Sequence, residues 1–474
     1  MPMAMVVIPF AIGIFFAEKV ELPLWLLISL CVVTLTGVIL LKKWQQIFAL
    51  FSAILMVGTL LHSLSYKLDI PYNKALEMVL KLNNSSVERG GYTSATARIV
   101  ECQEDCLVGR NVALWGDSLI LFRAGDRVHL TTTIHPFRAE RREYAQLMHH
   151  RGFIGSVSVN HRATYEYIPT KRVSPHDWAV ERLRSAMKPS GARGVVLAMA
   201  TGERGEIDKE LRASYSASGA SHLLAVSGLH IGIAFLLINI LLLPLVLLRY
   251  GNVVRSVLAV ILIWCYVWLC GVSPSAVRAA IMFSLLQFSL SSLREYASVN
   301  ILAGTAFIML VFDSHLLFDI SFLLSFIAVA GIILWAIPLY RLCVTRSKLL
   351  NTIIGILLVG VASTIATMPL VSVTFSTVSL VGVLINPMVV ILANIVVFAG
   401  VISLAFPSVA VVAEFAAEWQ NRVVEWAASL PYGHFDFEIS EWIMWSVYTL
   451  FGVATIALLL LPKREKMPKI EDNY

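Results

Sequence analysis

A succession of apolar runs, most of them near the length a helix needs to cross a bilayer, dominates this chain and limits what it can fold into. A spanning helix needs about 20 apolar residues. The runs cover residues 5–17, 22–41, 46–64, 222–248, 253–271, 275–292, 296–312, 318–339, 350–371, 379–404 and 442–461, about eleven membrane segments. This predicts a polytopic α-helical membrane protein. The first run is short, with no basic stretch before it and no small-x-small cleavage pattern after it, so it reads as a retained helix that pairs with the next. With 58% hydrophobic and 14% charged residues, the chain has too little charge to cover a soluble surface.

The long gap between the third and fourth runs divides the chain. Residues 1–66 read as N-terminal transmembrane helices, 67–170 as an inserted domain, 171–221 as interfacial amphipathic helices and 222–474 as the transmembrane core. In the insert, Gly91–Cys102, Leu107–Trp115, Asp117–Phe122 and Asp126–Ile134 are short β-branched runs separated by Gly, Asp and Asn. Tyr144–Arg151 reads as helix, and Gly155–Val159 and Ala163–Ile168 return to strand. Such a pattern fits a small β-barrel of the OB-like type. Cys102 and Cys106 bracket a tight turn, where they either form a disulfide or remain two free thiols. Cys31, Cys265, Cys270 and Cys343 read as small hydrophobes of the apolar runs.

Charge sets the expected orientation. The net charge of +6 lies partly in short connections, as the positive-inside bias requires, so it does not by itself indicate a nucleic-acid partner. Lys42 and Lys43 belong inside, which puts residues 67–170 outside; Arg249 to Arg255, Arg294, Arg341, Arg346, Lys348 and the tail Lys463–Lys469 then fall inside. Residues 372–441 break simple alternation. Val409–Leu430 carries Glu414, Glu418, Arg422 and Glu425, so either it crosses packed against protein, or 372–404 is a re-entrant pair broken at Pro387.

The most distinctive string is Ser218-Gly-Ala-Ser-His-Leu-Leu-Ala-Val-Ser-Gly-Leu-His-Ile-Gly-Ile233. Read as one helix, it puts His222 and His230 two turns apart on roughly one face. Gly228 and Gly232 form a GxxxG pair that lets another backbone approach. Ionisable groups inside a membrane helix face the bundle interior or a wet cavity, so the histidines serve either as satisfied packing groups or as part of a polar path.

That string resembles the signature of the ComEC competence family, the inner-membrane channel through which transformable bacteria import DNA. Leu197-Ala-Met-Ala-Thr-Gly-Glu-Arg204 and Leu211-Arg-Ala-Ser-Tyr-Ser-Ala-Ser-Gly219 resemble the family's lead-in. Gly271-Val-Ser-Pro-Ser-Ala-Val-Arg-Ala-Ala-Ile-Met282, Asp319-Ile-Ser-Phe-Leu-Leu-Ser-Phe326 and Thr367-Met-Pro369 through Asn386-Pro387 resemble later blocks in the same order. Ala124-Gly-Asp-Arg-Val128 and Glu143–Gly155 resemble its extracytoplasmic OB-like domain.

The resemblance implies a multi-pass protein of the bacterial inner (cytoplasmic) membrane that passes single-stranded DNA during natural transformation. Many members carry a C-terminal metallo-β-lactamase-like nuclease domain. This sequence has no HxHxDH-like cluster and few residues after 461, so a form without that domain is expected. The expected partners are single-stranded DNA, the lipid bilayer, a separate extracytoplasmic DNA receptor, a nuclease and a cytoplasmic motor. Candidate channel-lining residues are His222, Ser227, His230, Ser273, Ser275, Arg278, Asp319, Ser321, Ser325, Thr364, Thr367 and Asn386. Arg278 is either a phosphate contact or a snorkelling anchor, and Asp319 either pairs with an arginine or caps its helix. In the insert, Trp115, Phe122 and Phe137 could stack bases while Arg123, Arg127, Arg138, Arg141 and Arg142 hold phosphates.

No P-loop, zinc spacing or nucleophile–base arrangement is evident, so neither catalysis, cofactor nor metal is expected. The competing readings are a secondary transporter or flippase for a small or lipidic substrate, with helices broken near Pro274, Pro369 and Pro387, and a structural membrane protein.

Overall fold

A computed structural model describes residues 2–460 except 21, 41–43, 67–70, 84–86, 90–91, 118–124, 138–144, 146–147, 149–151, 160–164, 169–174, 225, 292–297, 346, 376, 380, 431–433 and 437–438. It is mostly helical, with one sheet domain set between the third helix and the rest.

Helices α1 (Pro2–Lys19), α2 (Leu24–Leu40) and α3 (Trp44–Tyr66) precede the sheet domain. Gly13 and Gly58 bring α1 and α3 together: a Cβ on Gly13 would collide with the Leu55 carbonyl, and one on Gly58 with that of Phe10. In a lipid-facing bundle, such small-residue contacts replace the hydrophobic driving force.

The sheet domain contains β1 (Ala75–Leu82), β2 (Val87–Arg89), β3 (Tyr92–Cys102), β4 (Asn111–Asp117), β5 (Arg127–Thr133), β6 (Phe153–Val159) and β7 (Tyr165–Ile168). The strand order is β6-β4-β3-β1-β5-β7, with β2 on β3. Only the β4–β6 pair is parallel, and an isolated bridge between His135 and Ser156 links the far end of β5 to β6.

Strand β1 lies at the centre but was not anticipated. Its residues, Ala-Leu-Glu-Met-Val-Leu-Lys-Leu, are mostly good helix formers, yet Leu76, Met78, Leu80 and Leu82 are all buried. Burying each is worth roughly 1.5–3 kcal/mol, several times any propensity difference, so period-two burial overrides local preference. The expected strand at 117–122 and helix at 144–151 lie largely outside the described residues; Ala145 and Met148 are helical. Cys102 and Cys106 are free thiols, the second of the two alternatives: Cys102 ends β3, whereas Cys106 is exposed in a separate 3-10 turn, Asp105–Leu107. Cys31 and Cys270 are buried, but Cys265 and Cys343 are exposed.

Past the sheet come α4 (Pro175–Ala186), α5 (Gly191–Ala200), α6 (Lys209–Ala217), α7 (Gly228–Leu241), α8 (Gly251–Leu269), α9 (Pro274–Ser291) and α10 (Ser298–Phe312). They are followed by α11 (Ile320–Cys343), α12 (Lys348–Phe375), α13 (Val381–Ser403), α14 (Ala410–Ala428) and α15 (Glu441–Leu460). Gln45–Leu64, Gly251–Leu269, Ile320–Cys343 and Lys348–Thr374 are each long and apolar enough to cross a membrane.

Two expectations are corrected. Helix α5 is not interfacial: Val195 to Ala200 are buried in a cluster with α13 and α14. Residues 222–248 are not one helix either. Ser221–Leu224 forms a 3-10 turn, α7 starts only at Gly228, and Pro244 lies in a second 3-10 turn, Leu243–Leu247. The segment 372–441 forms a closed excursion. Strand β8 (Thr377–Ser379) pairs antiparallel with β9 (His434–Asp436), and between them α13 and α14 pack as a returning helix pair.

Candidate functional site

The site is built where the distinctive string breaks its helix. Ser227 is extended (φ −102°, ψ 169°) and its N–H donates to His230 Nδ1 at 3.2 Å. That bond makes Nδ1 an acceptor, so the ring proton sits on Nε2. His230 is buried, and its Nε2 has no hydrogen-bond partner among the described residues. His222 lies in the preceding turn and is exposed, so the two histidines do not share a helix face.

The GxxxG pair seats α7 on α9 as expected. A Cβ on Gly228 would lie 3.8 Å from the Ala279 Cβ, and one on Gly232 would lie 3.1 Å from the Phe283 ring. The Phe235 and Phe283 rings stack beyond it, 4.8 Å apart. This contact fixes the turn of α9 that carries Arg278.

Arg278 is only 3% exposed, which excludes the snorkelling reading. Its Nη2 donates to Ser321 Oγ at 3.2 Å, and its Nε has no partner. Asp319 caps α11, accepting from the N–H groups of Ser321 and Phe322, so it reaches Arg278 only through Ser321. Ser273 accepts weakly from the Ala276 N–H at the start of α9, and Ser275 and Ser325 are half-buried. Thr367 donates to Ser363 O and is satisfied within its own helix.

Helix α13 packs against α7 and contributes Asn386 and Asn394, eight residues apart and so on one face, each with an unpartnered Oδ1. Asn394 was not singled out from the sequence. Nearly all buried polar atoms in folded proteins are hydrogen-bonded, so unpartnered atoms on α7 and on the two helices that pack against it, α9 and α13, need a cause.

A second polar cluster was also missed. His62 Nδ1 lies 2.8 Å from Ser314 Oγ and its Nε2 lies 3.0 Å from Glu18 Oε2, which ties α3 to α1 and to the turn before α11. In sequence these are single polar residues near the ends of apolar runs, with no spacing to connect them.

On the sheet, Trp115 is 42% exposed and lies opposite Ser94 and Ser158. Phe137 is half-buried and Arg127 exposed, whereas Phe122, Arg123, Arg138, Arg141 and Arg142 lie outside the described residues. The register adds two residues that the sequence reading missed. Lys81 is directly opposite Arg98 on one side and Arg127 on the other, a row of three exposed cations across β3, β1 and β5. Like charges placed this way weaken a sheet.

A family model described as "Competence protein" matches residues 199–464. The chain is 30% identical over 265 residues to an uncharacterized protein of Aquifex aeolicus, covering 55% of this chain and 60% of that one. It is 32% identical over 151 residues to ComE operon protein 3 of Bacillus subtilis, covering 32% and 19%. It is 29% identical over 165 residues to Recombination protein 2 of Haemophilus influenzae, covering 33% and 21%. The chain thus spans less than two-thirds of the length of these relatives. No solved structure shows a significant match.

Proposed function

This chain belongs to the competence protein family, and on that premise we propose that it passes single-stranded DNA across the bacterial inner membrane during natural transformation. The observation that carries the reading is the set of buried polar atoms on α7, α9 and α13 with no hydrogen-bond partner among the described residues: His230 Nε2, Arg278 Nε, Gln287 Oε1, Asn386 Oδ1 and Asn394 Oδ1. A strand carries one charge per phosphate, and an unsolvated charge at bilayer depth costs at least several kcal/mol. Neutral donors and acceptors, with one cation, lower that barrier without holding the strand, as a conducting path requires. The role is transport rather than catalysis.

The sheet domain is read as an OB-like barrel that captures DNA outside the membrane. Supporting this are the β1-β3-β4-β6 order, its single parallel pair, and the His135–Ser156 bridge that turns β5 back toward β6. The Arg98–Lys81–Arg127 row and exposed Trp115 combine the cations and aromatic surface that single strands favour. A DNA receptor, a nuclease that yields the single strand and a cytoplasmic motor complete the proposed pathway.

The helix broken between Ser221 and Leu247 favours a second reading, a transporter for a small or lipidic substrate. Deleting the gene separates the two. Loss of transformation, restored by the wild-type copy, supports the channel; normal transformation with a substrate-specific growth defect sinks it.

A further inference from the structure

The segment between the sheet domain and the Ser221–His230 string is rich in arginine, and its acids are unevenly shared. Glu206 is held between Arg184 Nε, at 2.8 Å, and Arg193 Nε, at 2.7 Å. The Glu203 carboxylate turns back to accept from the Gly205 N–H at 2.8 Å. Arg204 and Arg212 are left with no carboxylate within 4.0 Å among the described residues.

These two arginines are nonetheless held together. Arg212 Nη2 donates to the Arg204 backbone carbonyl at 3.4 Å, and the Arg212 N–H donates to Asp208 O at 3.0 Å. The buried side chains of Leu211 and Tyr215 fix the adjoining face of α6. The Tyr215 hydroxyl donates to Asn421 Oδ1 at 2.9 Å, which locks α6 to α14. Both guanidinium groups are solvent-accessible. Protein around Arg204 desolvates it, and the Arg212 charge adds to this, so its guanidinium is pushed below the ordinary arginine range. Two neighbouring like charges with no acid partner among the described residues are a costly arrangement that an anion would relieve.

We propose that Arg204 and Arg212 form a phosphodiester-binding pair that receives the incoming single strand between the sheet domain and the helical core. The assignment rests on the DNA-uptake reading and gives it a contact outside the buried path. Guanidinium groups suit this ligand because their planar donor forks match phosphate oxygens. The pair also lies, in chain order, between the cation row of the sheet and His230.

The test uses the full chain in nanodiscs of zwitterionic lipid, with fluorescein-labelled oligothymidine as probe and salt titrated. Each phosphate contact on a single strand adds about 0.7 to the slope of log affinity against log salt. R204Q/R212Q should flatten that slope by about 1.4, so that from 50 to 200 mM salt the wild type loses about sevenfold more affinity than the variant. R204K/R212K should keep the wild-type slope, which guards against a merely misfolded double variant. An unchanged slope in a folded R204Q/R212Q protein overturns the proposal. So does a change seen only in binding to discs of anionic lipid, which assigns the pair to lipid headgroups. A wild-type chain with no salt-dependent binding overturns the parent DNA reading itself, a distinct result.

Discussion

Arg278 on α9 reaches Ser321 on α11 across 3.2 Å, and Asp319 holds the same serine by its backbone N–H. Asp319 thus positions the hydroxyl that positions the guanidinium, while among the described residues no carboxylate lies within 4.0 Å of the cation. A buried cation kept without an ion pair is expensive, and apolar replacements of buried charges are often neutral or stabilising by about 1–4 kcal/mol.

Replacing Arg278 should therefore separate stability from transport. R278M is expected to match or exceed the wild type in thermal unfolding in detergent, while transformation frequency falls at least tenfold, a loss of about 1.4 kcal/mol or more in the transport step. S321A should lower uptake less, because the guanidinium loses its fixed partner but keeps its charge. A destabilised R278M protein with normal residual uptake per folded molecule would remove Arg278 from the path.

The His62 cluster should behave in the opposite way. His62 joins Glu18 and Ser314, and a leucine there takes from the half-buried carboxylate and the buried hydroxyl the partner they share. H62L is expected to cost about 1–3 kcal/mol, the range for leaving a desolvated hydrogen-bonding group without its partner. The double variant H62L/E18L should recover part of that loss, since the carboxylate that faced the ring goes with it. Thermal unfolding of the wild type, H62L, E18L and H62L/E18L in one detergent checks the cycle; additive losses would show that the two residues are not coupled.

Much of this arrangement was legible in the sequence where one element carried the signal. The GxxxG spacing of Gly228 and Gly232 correctly anticipated a close helix neighbour, and the apolar runs marked nearly every core helix. What sequence hid were relations set by distant partners. Helix formers in β1 became a central strand because β3 and β5 flank it. His222 and His230 were separated because Ser227 adopts extended backbone to start a new helix. The Lys81–Arg98–Arg127 row exists only through strand register, and the Glu18–His62–Ser314 cluster only through helix packing.

The cation row makes a prediction of opposing signs. K81E would convert two like-charge cross-strand pairs into two opposite-charge pairs, each worth about 0.2–1 kcal/mol. The sheet domain should gain about 0.5–2 kcal/mol while affinity for single-stranded DNA and its salt dependence both fall. Unfolding and oligonucleotide titration on the full chain test both halves. Unchanged DNA binding in K81E would dismiss the row as a capture surface.

The α8–α9 connection stores strain that can be released without touching any polar contact of the site. Gly271 and Val272 both take left-handed backbone, φ 69° and 54°, and a β-branched residue is poorly suited to that region. The turn is held by the Val272 N–H donating to Val267 O at 3.0 Å and by the Gly271 N–H donating to Trp268 O. V272G should relieve strain of about 1–3 kcal/mol, partly offset by the greater freedom of glycine in the unfolded chain. Thermal stability should therefore hold or rise. G271A should be destabilised: the added methyl would meet the His176 ring at only ordinary contact distance, so its cost comes from backbone conformation alone. If V272G lowers transformation while stabilising the fold, the strained turn serves to aim Ser273 and Arg278 at the path; if uptake is unchanged, the strain is a by-product of turning the chain from α8 into α9.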